Sequence, residues 1–195
     1  MGSVVVQMSV SLDGFMSGPD GELDWHLVDE ELHQHFNDVL RGAGAFLDGR
    51  VNHELMSAYW PTADEDPAAS APEREFAGIF RETPKVVFSR TLAEAPPGTE
   101  LVRDVVPEVE RARAAAATGP LYVGGALLAA SFAEHDLVDE YRVYVHPVLL
   151  GRGRPLFPAA DRRTSLRLLE TRSFGNGVAL LRYGRSDMFV TPPPR

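Results

Sequence analysis

Through the first two-thirds of the chain, short β-branched runs alternate with stretches whose apolar residues recur at helical spacing; beyond Leu137 one strand-like run follows another. The run Val4 to Val10, bounded by Asp13-Gly14, predicts a buried strand. A loop dotted with Gly14, Gly18 and Gly21 follows. Between about Val28 and Arg41, Leu32, Phe36, Val39 and Leu40 mark one face of a helix. Ala45-Phe46-Leu47 is a short strand ending at Asp48-Gly49-Arg50, and helices are expected over Val51–Ala58 and Pro72–Arg81. Strands at Lys85–Ser89 and Leu101–Val102 precede a helix over Pro107–Ala117 that stops before Gly119. Leu121–Val123 reads as a strand and Ala126–Glu134 as a helix. Asp139–His146 alternates as a long strand, and Leu166–Ser173 and Val178–Tyr183 flank Gly175-Asn176-Gly177, a hairpin signal. Pro61–Pro72 and Leu92–Gly98 read as loops.

Strand–helix alternation implies parallel pairing through crossovers, with helices on both faces of the sheet. The expected architecture is therefore a three-layer α/β/α sandwich around a mixed, mostly parallel sheet, with a C-terminal antiparallel hairpin. At 195 residues the chain suits one domain, placed at residues 1–190, with a Pro-rich tail at 191–195 that is expected to fray.

Composition narrows the function classes. Nineteen basic and 28 acidic residues leave a net charge of −9, so the surface repels polyanions on average and nucleic acid is not an expected partner. The absence of cysteine excludes a disulfide scaffold, a thiolate zinc site and a catalytic thiol. No run approaches the roughly 18 apolar residues of a membrane span, and the start lacks a signal-peptide pattern, so a cytoplasmic protein without membrane contact is expected. His33 and His35 lie two apart on a helix and face different ways; His53-Glu54 lacks a second histidine; His26, His135 and His146 have no ligand spacing. No metal is expected.

Three junctions after predicted strands carry candidate chemistry, because ligands of open α/β sheets bind beyond the carboxyl ends of strands. Gly49-Arg50-Val51-Asn52 offers a close backbone and a guanidinium at a helix start, or simply a surface arginine at a turn. Ser89-Arg90-Thr91 sets two hydroxyls around a guanidinium, an arrangement also found in ordinary loops. Gly124-Gly125-Ala126-Leu127 lets backbone approach a pyrophosphate at a helix start, or lets strand and helix pack closely. Together they suggest a polyphosphate grip spread over three strands. Neither dinucleotide nor P-loop glycine motif occurs, since Gly151-Arg152-Gly153 continues as Arg154-Pro155-Leu156. For proton chemistry, Asp29 or Glu30 can project into a cleft, or both can merely favour the dipole of the helix they open. Asp13 is either a site residue or a turn former, and Trp25 either stacks on a flat heterocycle or caps the core.

In this order the pieces Ser11-Leu12-Asp13-Gly14, Gly49-Arg50-Val51-Asn52-His53-Glu54, Ser89-Arg90-Thr91-Leu92, Gly124-Gly125, Leu137-Val138-Asp139-Glu140 and Pro147 to Phe157 form a pattern. It resembles the dihydrofolate reductase-like family, in particular the branch containing the reductase domain of bacterial riboflavin biosynthesis. The resemblance implies a sheet of about eight strands, NADPH as hydride donor, a small heterocyclic substrate of pteridine or ribosylaminopyrimidine type, and a homodimer. It assigns Arg50, Ser89, Arg90 and Thr91 to the adenosine 2′-phosphate and nearby phosphates. Gly49 and Asn52 belong to the same turn, Asn52 standing where the family often has threonine. It assigns Gly124 to Leu127 to the diphosphate and the loop containing Gly14 to the nicotinamide. Asp13, Trp25, Tyr59 and Trp60 are candidates to line the substrate side, with Asp29 or Glu30 as proton relay. A different class, a non-catalytic nucleotide- or flavin-binding module on the same fold, is the alternative.

Overall fold

In the computed structural model, which describes residues 2–115, 119–157 and 163–186, the three N-terminal valines Val4, Val5 and Val6 have almost no accessible surface. They open β1 (Val4–Ser11), a strand with neighbours on both sides. It is followed by β2 (Phe15–Ser17), α1 (Glu30–Leu40) and β3 (Ala45–Gly49). Helix α2 (Arg50–Tyr59) runs through a 3₁₀ turn (Trp60–Glu65) towards α3 (Ala71–Glu82). Then come β4 (Lys85–Phe88), β5 (Glu100–Val102), α4 (Val105–Ala115), β6 (Leu121–Gly124) and α5 (Ala126–Glu134). The last described elements are β7 (Glu140–His146), β8 (Arg154–Pro155), β9 (Leu166–Ser173) and β10 (Ala179–Arg185). The end of the expected Pro107–Ala117 helix and the 191–195 tail lie outside the described residues.

Eight strands form one sheet in the order β5-β4-β3-β6-β1-β7-β10-β9. The pairings from β5 through to β7 are parallel, and β10 is antiparallel to both β7 and β9. The expected hairpin is thus the antiparallel margin of the sheet, turning at Gly177 with φ +87°, a backbone conformation that favours glycine. Two features differ from the expectation. Pro61, read as loop, stands in the first turn of the 3₁₀ segment, where its missing N–H costs nothing. A second, two-stranded sheet pairs β2 with β8 across 137 residues at Ser17 and Arg154.

Alternation along the strands divides the core. Val4, Val6, Met8 and Val10 of β1 join Leu47, Val123, Val109 of α4 and Phe132 of α5 on one face. Val5, Phe46 and Tyr122 join Phe76, Ile79 and Phe80 of α3 on the other. Leu32 and Phe36 of α1 pack with Tyr144, Phe174, Val178 and Leu180. Helices therefore cover both faces, and each fully buried Val or Leu contributes roughly 1.5–3 kcal/mol. No helix among the described residues is long and apolar enough to cross a membrane.

Connectivity places the crevice. From β3 the chain steps outward to β4 and β5, then returns through α4 to β6 on the inner side of β3. The order reverses between β3 and β6, and the space beyond their carboxyl ends is where such sheets take ligands.

Candidate functional site

Two helices start side by side at that reversal. Helix α2 begins after Gly49 and α5 after Gly125, and neither receives a hydrogen bond from a capping side chain. Their first amides therefore lack intrahelical partners and face the crevice with the positive ends of the two helix dipoles. Gly125 has φ +94°, which a residue with Cβ rarely adopts.

Both starts open on one cleft of about 1080 Å³, lined among others by Gly49, Arg50, Asn52, Ser89, Arg90, Gly125, Ala126 and Leu127. Residues expected to grip phosphates thus come together from three separate strand ends. Four arginines line the cleft (Arg50, Arg90, Arg103 and Arg154) with two carboxylates, Asp20 and Asp104, so a protein of net charge −9 presents a basic cleft. Arg50 pairs with Glu54 one turn along α2, at 2.8 Å and largely in solvent, a geometry that leaves the guanidinium free to exchange partners. Arg90 is exposed and makes no ion pair among the described residues. Arg103 donates to the Ser89 and Leu92 carbonyls, both at 2.5 Å, and so holds the Ser89–Thr91 turn from below. Within that turn Ser89 Oγ accepts from the Thr91 and Leu92 amides at 3.2 and 3.1 Å. Thr91 itself does not line the cleft; its hydroxyl is 3.3 Å from Ser89 Oγ.

Asn52 points its amide inward. Asn52 Nδ2 donates to Asp48 Oδ1 at 2.7 Å, and a Cβ on Gly124 would stand 2.2 Å from that oxygen. Glycine at 124 is therefore required by this contact, and Gly124 underlies the cleft without lining it. Burial pushes the Asp48 carboxyl up to about 6, while Asn52 and Lys85 act in the opposite direction.

Other expected site residues lie elsewhere. Asp29 is the N-cap of α1, its Oδ1 accepting from the Leu32 amide at 2.9 Å, and Glu30 is an exposed first-turn acid; neither lines the cleft. Helix capping accounts for the position of Asp29, and the helix dipole favours an acid at Glu30. Asp13 accepts from Ser11 Oγ at 2.6 Å and from the Leu150 and Gly151 amides at 3.1 and 2.7 Å. These bonds, that from Ser11 foremost, hold its carboxyl below the usual carboxylate range and tie the loop after β1 to the loop after β7. Gly14, at φ +87°, completes that turn outside the cleft. Trp25 stands edge-on to His26 and His146, whose rings stack at 5.2 Å. His146 is fully buried, its Nδ1 accepting from the Leu27 amide at 3.1 Å, and burial, reinforced by His26, lowers it to about 4. Tyr59 donates to Glu73 at 3.2 Å, and Trp60 packs on Phe76 at 4.5 Å, so this pair joins α2 to α3 rather than lining the cleft.

Arg103 and Arg154 are cleft residues that the sequence pattern did not single out. Arg103 had a signal: like Arg50 and Arg90, it follows closely on a parallel strand, and β3, β4 and β5 are neighbours. Arg154 had none, because it reaches the cleft through the β2–β8 pairing.

The fold and its cleft define a dihydrofolate reductase-like α/β protein. The chain belongs to the RibD C-terminal domain family, which matches residues 2–180. It is 34% identical over 181 residues to YyaP of Bacillus subtilis (strain 168), an uncharacterized protein, covering 92% of this chain and 93% of that one. Its fold is similar to that of a putative riboflavin biosynthesis protein from Shewanella sp. PV-4, with a TM-score of 0.72, 22% identity, and 94% and 99% of the two chains covered. It is also similar to dihydrofolate reductase from Enterococcus faecalis complexed with NADP(H), with a TM-score of 0.60, 16% identity, and 95% and 97% covered.

Proposed function

We propose that this protein is a cytoplasmic NADPH-dependent reductase that delivers hydride to a small heterocycle of pteridine or ribosylaminopyrimidine type. The observation that carries this is the convergence of two uncapped helix starts and four arginines on one cleft. Bare amides at Gly125–Leu127 and Arg50–Asn52 suit a diphosphate, and Arg90 with Ser89 suits the extra phosphate of NADPH. The volume of about 1080 Å³ leaves room for a substrate beside the cofactor. The cofactor supplies the hydride; the protein binds, orients and excludes water. The segment from Met16 to Leu23, the end of β2 with the loop after it, forms one wall of the cleft, and in this reading it covers the reacting rings. With Asp29 committed to its helix, the proton comes from ordered water or from Asp20, the carboxylate on that wall.

Titration with NADPH and NADH, followed by nicotinamide fluorescence, tests the phosphate assignment. NADPH is expected to bind more tightly, and Arg90→Ala to narrow the difference by roughly tenfold or more. Equal affinity for the two cofactors contradicts the assignment. Steady NADPH oxidation with a panel of pteridines and pyrimidines tests turnover. The position of Asp29 and Glu30 away from the cleft favours one second reading, a nucleotide- or flavin-binding module without turnover, which predicts binding and no oxidation with any of the panel.

The family resemblance also suggests a homodimer. Strand β7 has both edges paired within the sheet and buries Tyr141, Val143 and Tyr144 in the core, whereas β9 is an edge strand with Leu166, Leu168 and Leu169 exposed. Gel filtration at several concentrations tests the dimer, and a monomer throughout contradicts it.

A further inference from the structure

Beneath the paired helix starts lies a titratable group for which hydride transfer has no use. Asp48 is 4% exposed and sits in the sheet with Val87 of β4 on one side and Gly124 of β6 on the other. Within the described residues the one hydrogen bond to its carboxyl comes from Asn52, in the first turn of α2. A Cβ on Gly124 would lie 2.2 Å from Asp48 Oδ1 and 2.4 Å from Asn52 Nδ2, and one on Gly125 would lie 3.4 Å from Asn52 Cβ. Carboxyl and amide are thus wedged directly against the turn that starts α5, and they couple the two helix starts to each other.

The charged surroundings are sparse. From β4, Lys85 is the cation that acts on Asp48, but its ammonium donates to the Phe80 and Thr83 carbonyls. From α2 come the neutral Asn52, the surface pair Arg50–Glu54, and His53, which burial and Lys85 hold below the usual histidine range. Strand β6 presents Gly124, which carries no charge. While the helix starts are free, their positive ends favour the ionised carboxyl. A diphosphate bound on those same ends would take up that field and bring like charge towards Asp48, and both changes favour the neutral acid.

We propose that Asp48 is a proton-linked positioning residue of the cleft: it takes a proton from solvent when a diphosphate seats on the starts of α2 and α5, and returns it when the diphosphate leaves. The inference rests on the cofactor reading given above. Burial, which already raises Asp48 to about 6, puts this exchange close to neutrality. Affinity for the dinucleotide should then fall, by up to about tenfold per pH unit, between the titration midpoints of Asp48 in the free and bound protein and level off above the second, superimposed on whatever the phosphates themselves contribute.

The test is calorimetric titration of NADPH into the protein at pH 7, in two buffers of different ionisation enthalpy, with wild type and Asp48→Asn. Asparagine keeps an acceptor for Asn52 and removes the charge. The 2′-phosphate of NADPH titrates near pH 6 but contributes equally to both proteins, so the difference reports Asp48. On binding, wild type is expected to take up more protons than Asp48→Asn, by about half a proton or more, and Asp48→Asn to bind at least as tightly. Equal uptake with both proteins binding overturns the inference and leaves the cofactor reading standing. No binding to either protein overturns the cofactor reading and this inference with it. If Asp48→Asn does not fold, carboxyl carbon NMR of Asp48 in wild type decides. Its titration midpoint should move up by about one pH unit or more on adding NADPH, and an unmoved midpoint overturns the proposal.

Discussion

Helices α1 and α3 begin in one way, α2 and α5 in another. Asp29 caps α1, and Ser70 caps α3 through a reciprocal box with Glu73, whose carboxylate accepts from the Ser70 amide at 2.7 Å. Glycine stands at both other starts, with no side chain to satisfy the orphan amides. The capped starts keep their positive ends for themselves. The glycine starts leave theirs to the cleft, and they sit at the strand-order reversal where a ligand would meet them. A missing cap is thus a local loss of stability that becomes meaningful only through where the sheet places it.

Substitutions can break this contrast from either side. The largest effect is expected from Gly124→Ala. The new methyl would have to displace Asp48 Oδ1 or Asn52 Nδ2, and leaving the buried carboxyl without its donor costs about 1–3 kcal/mol. Thermal melting should fall and NADPH binding should weaken together. Gly49→Ser should separate the two. Gly49 has φ −71°, and a Cβ there meets nothing closer than Leu128 Cβ at 3.9 Å, so serine fits. Its hydroxyl would cap α2, adding a few tenths of a kcal/mol, and compete with a phosphate for the same amides. NADPH affinity should drop roughly tenfold while the melting temperature holds or rises. Ser70→Ala is the converse and the smallest effect. It should cost about 1 kcal/mol in urea unfolding and leave cofactor affinity unchanged.

The same contrast shows what was legible from sequence. The strand ends before Gly49, Ser89 and Gly125 were readable because short apolar runs that stop at glycine or serine have local signatures, and parallel topology brings such ends to one edge. Asp29 and Glu30 fit two readings, as relay and as helix-start acids, which sequence alone does not separate; in the structure Asp29 caps α1 and neither residue lines the cleft. Strands β2 and β8 left no period to read, with three and two residues. They are instead joined by a close crossing at which a Cβ on Gly153 would stand 2.1 Å from the Ser17 carbonyl oxygen. Arg154 reaches the cleft by way of that crossing, so long-range pairing rather than sequence pattern positions it.

Amide chemical shifts followed as NADPH is added test the central claim most directly, because they compare the two capped and the two glycine starts in one sample. The account predicts large movements at Val51, Ala126 and Leu127, and none at Leu32 and Glu73, whose amides are already bonded to their caps. Saturable binding that moves Leu32 or Glu73 while Ala126 and Leu127 stay in place would contradict it.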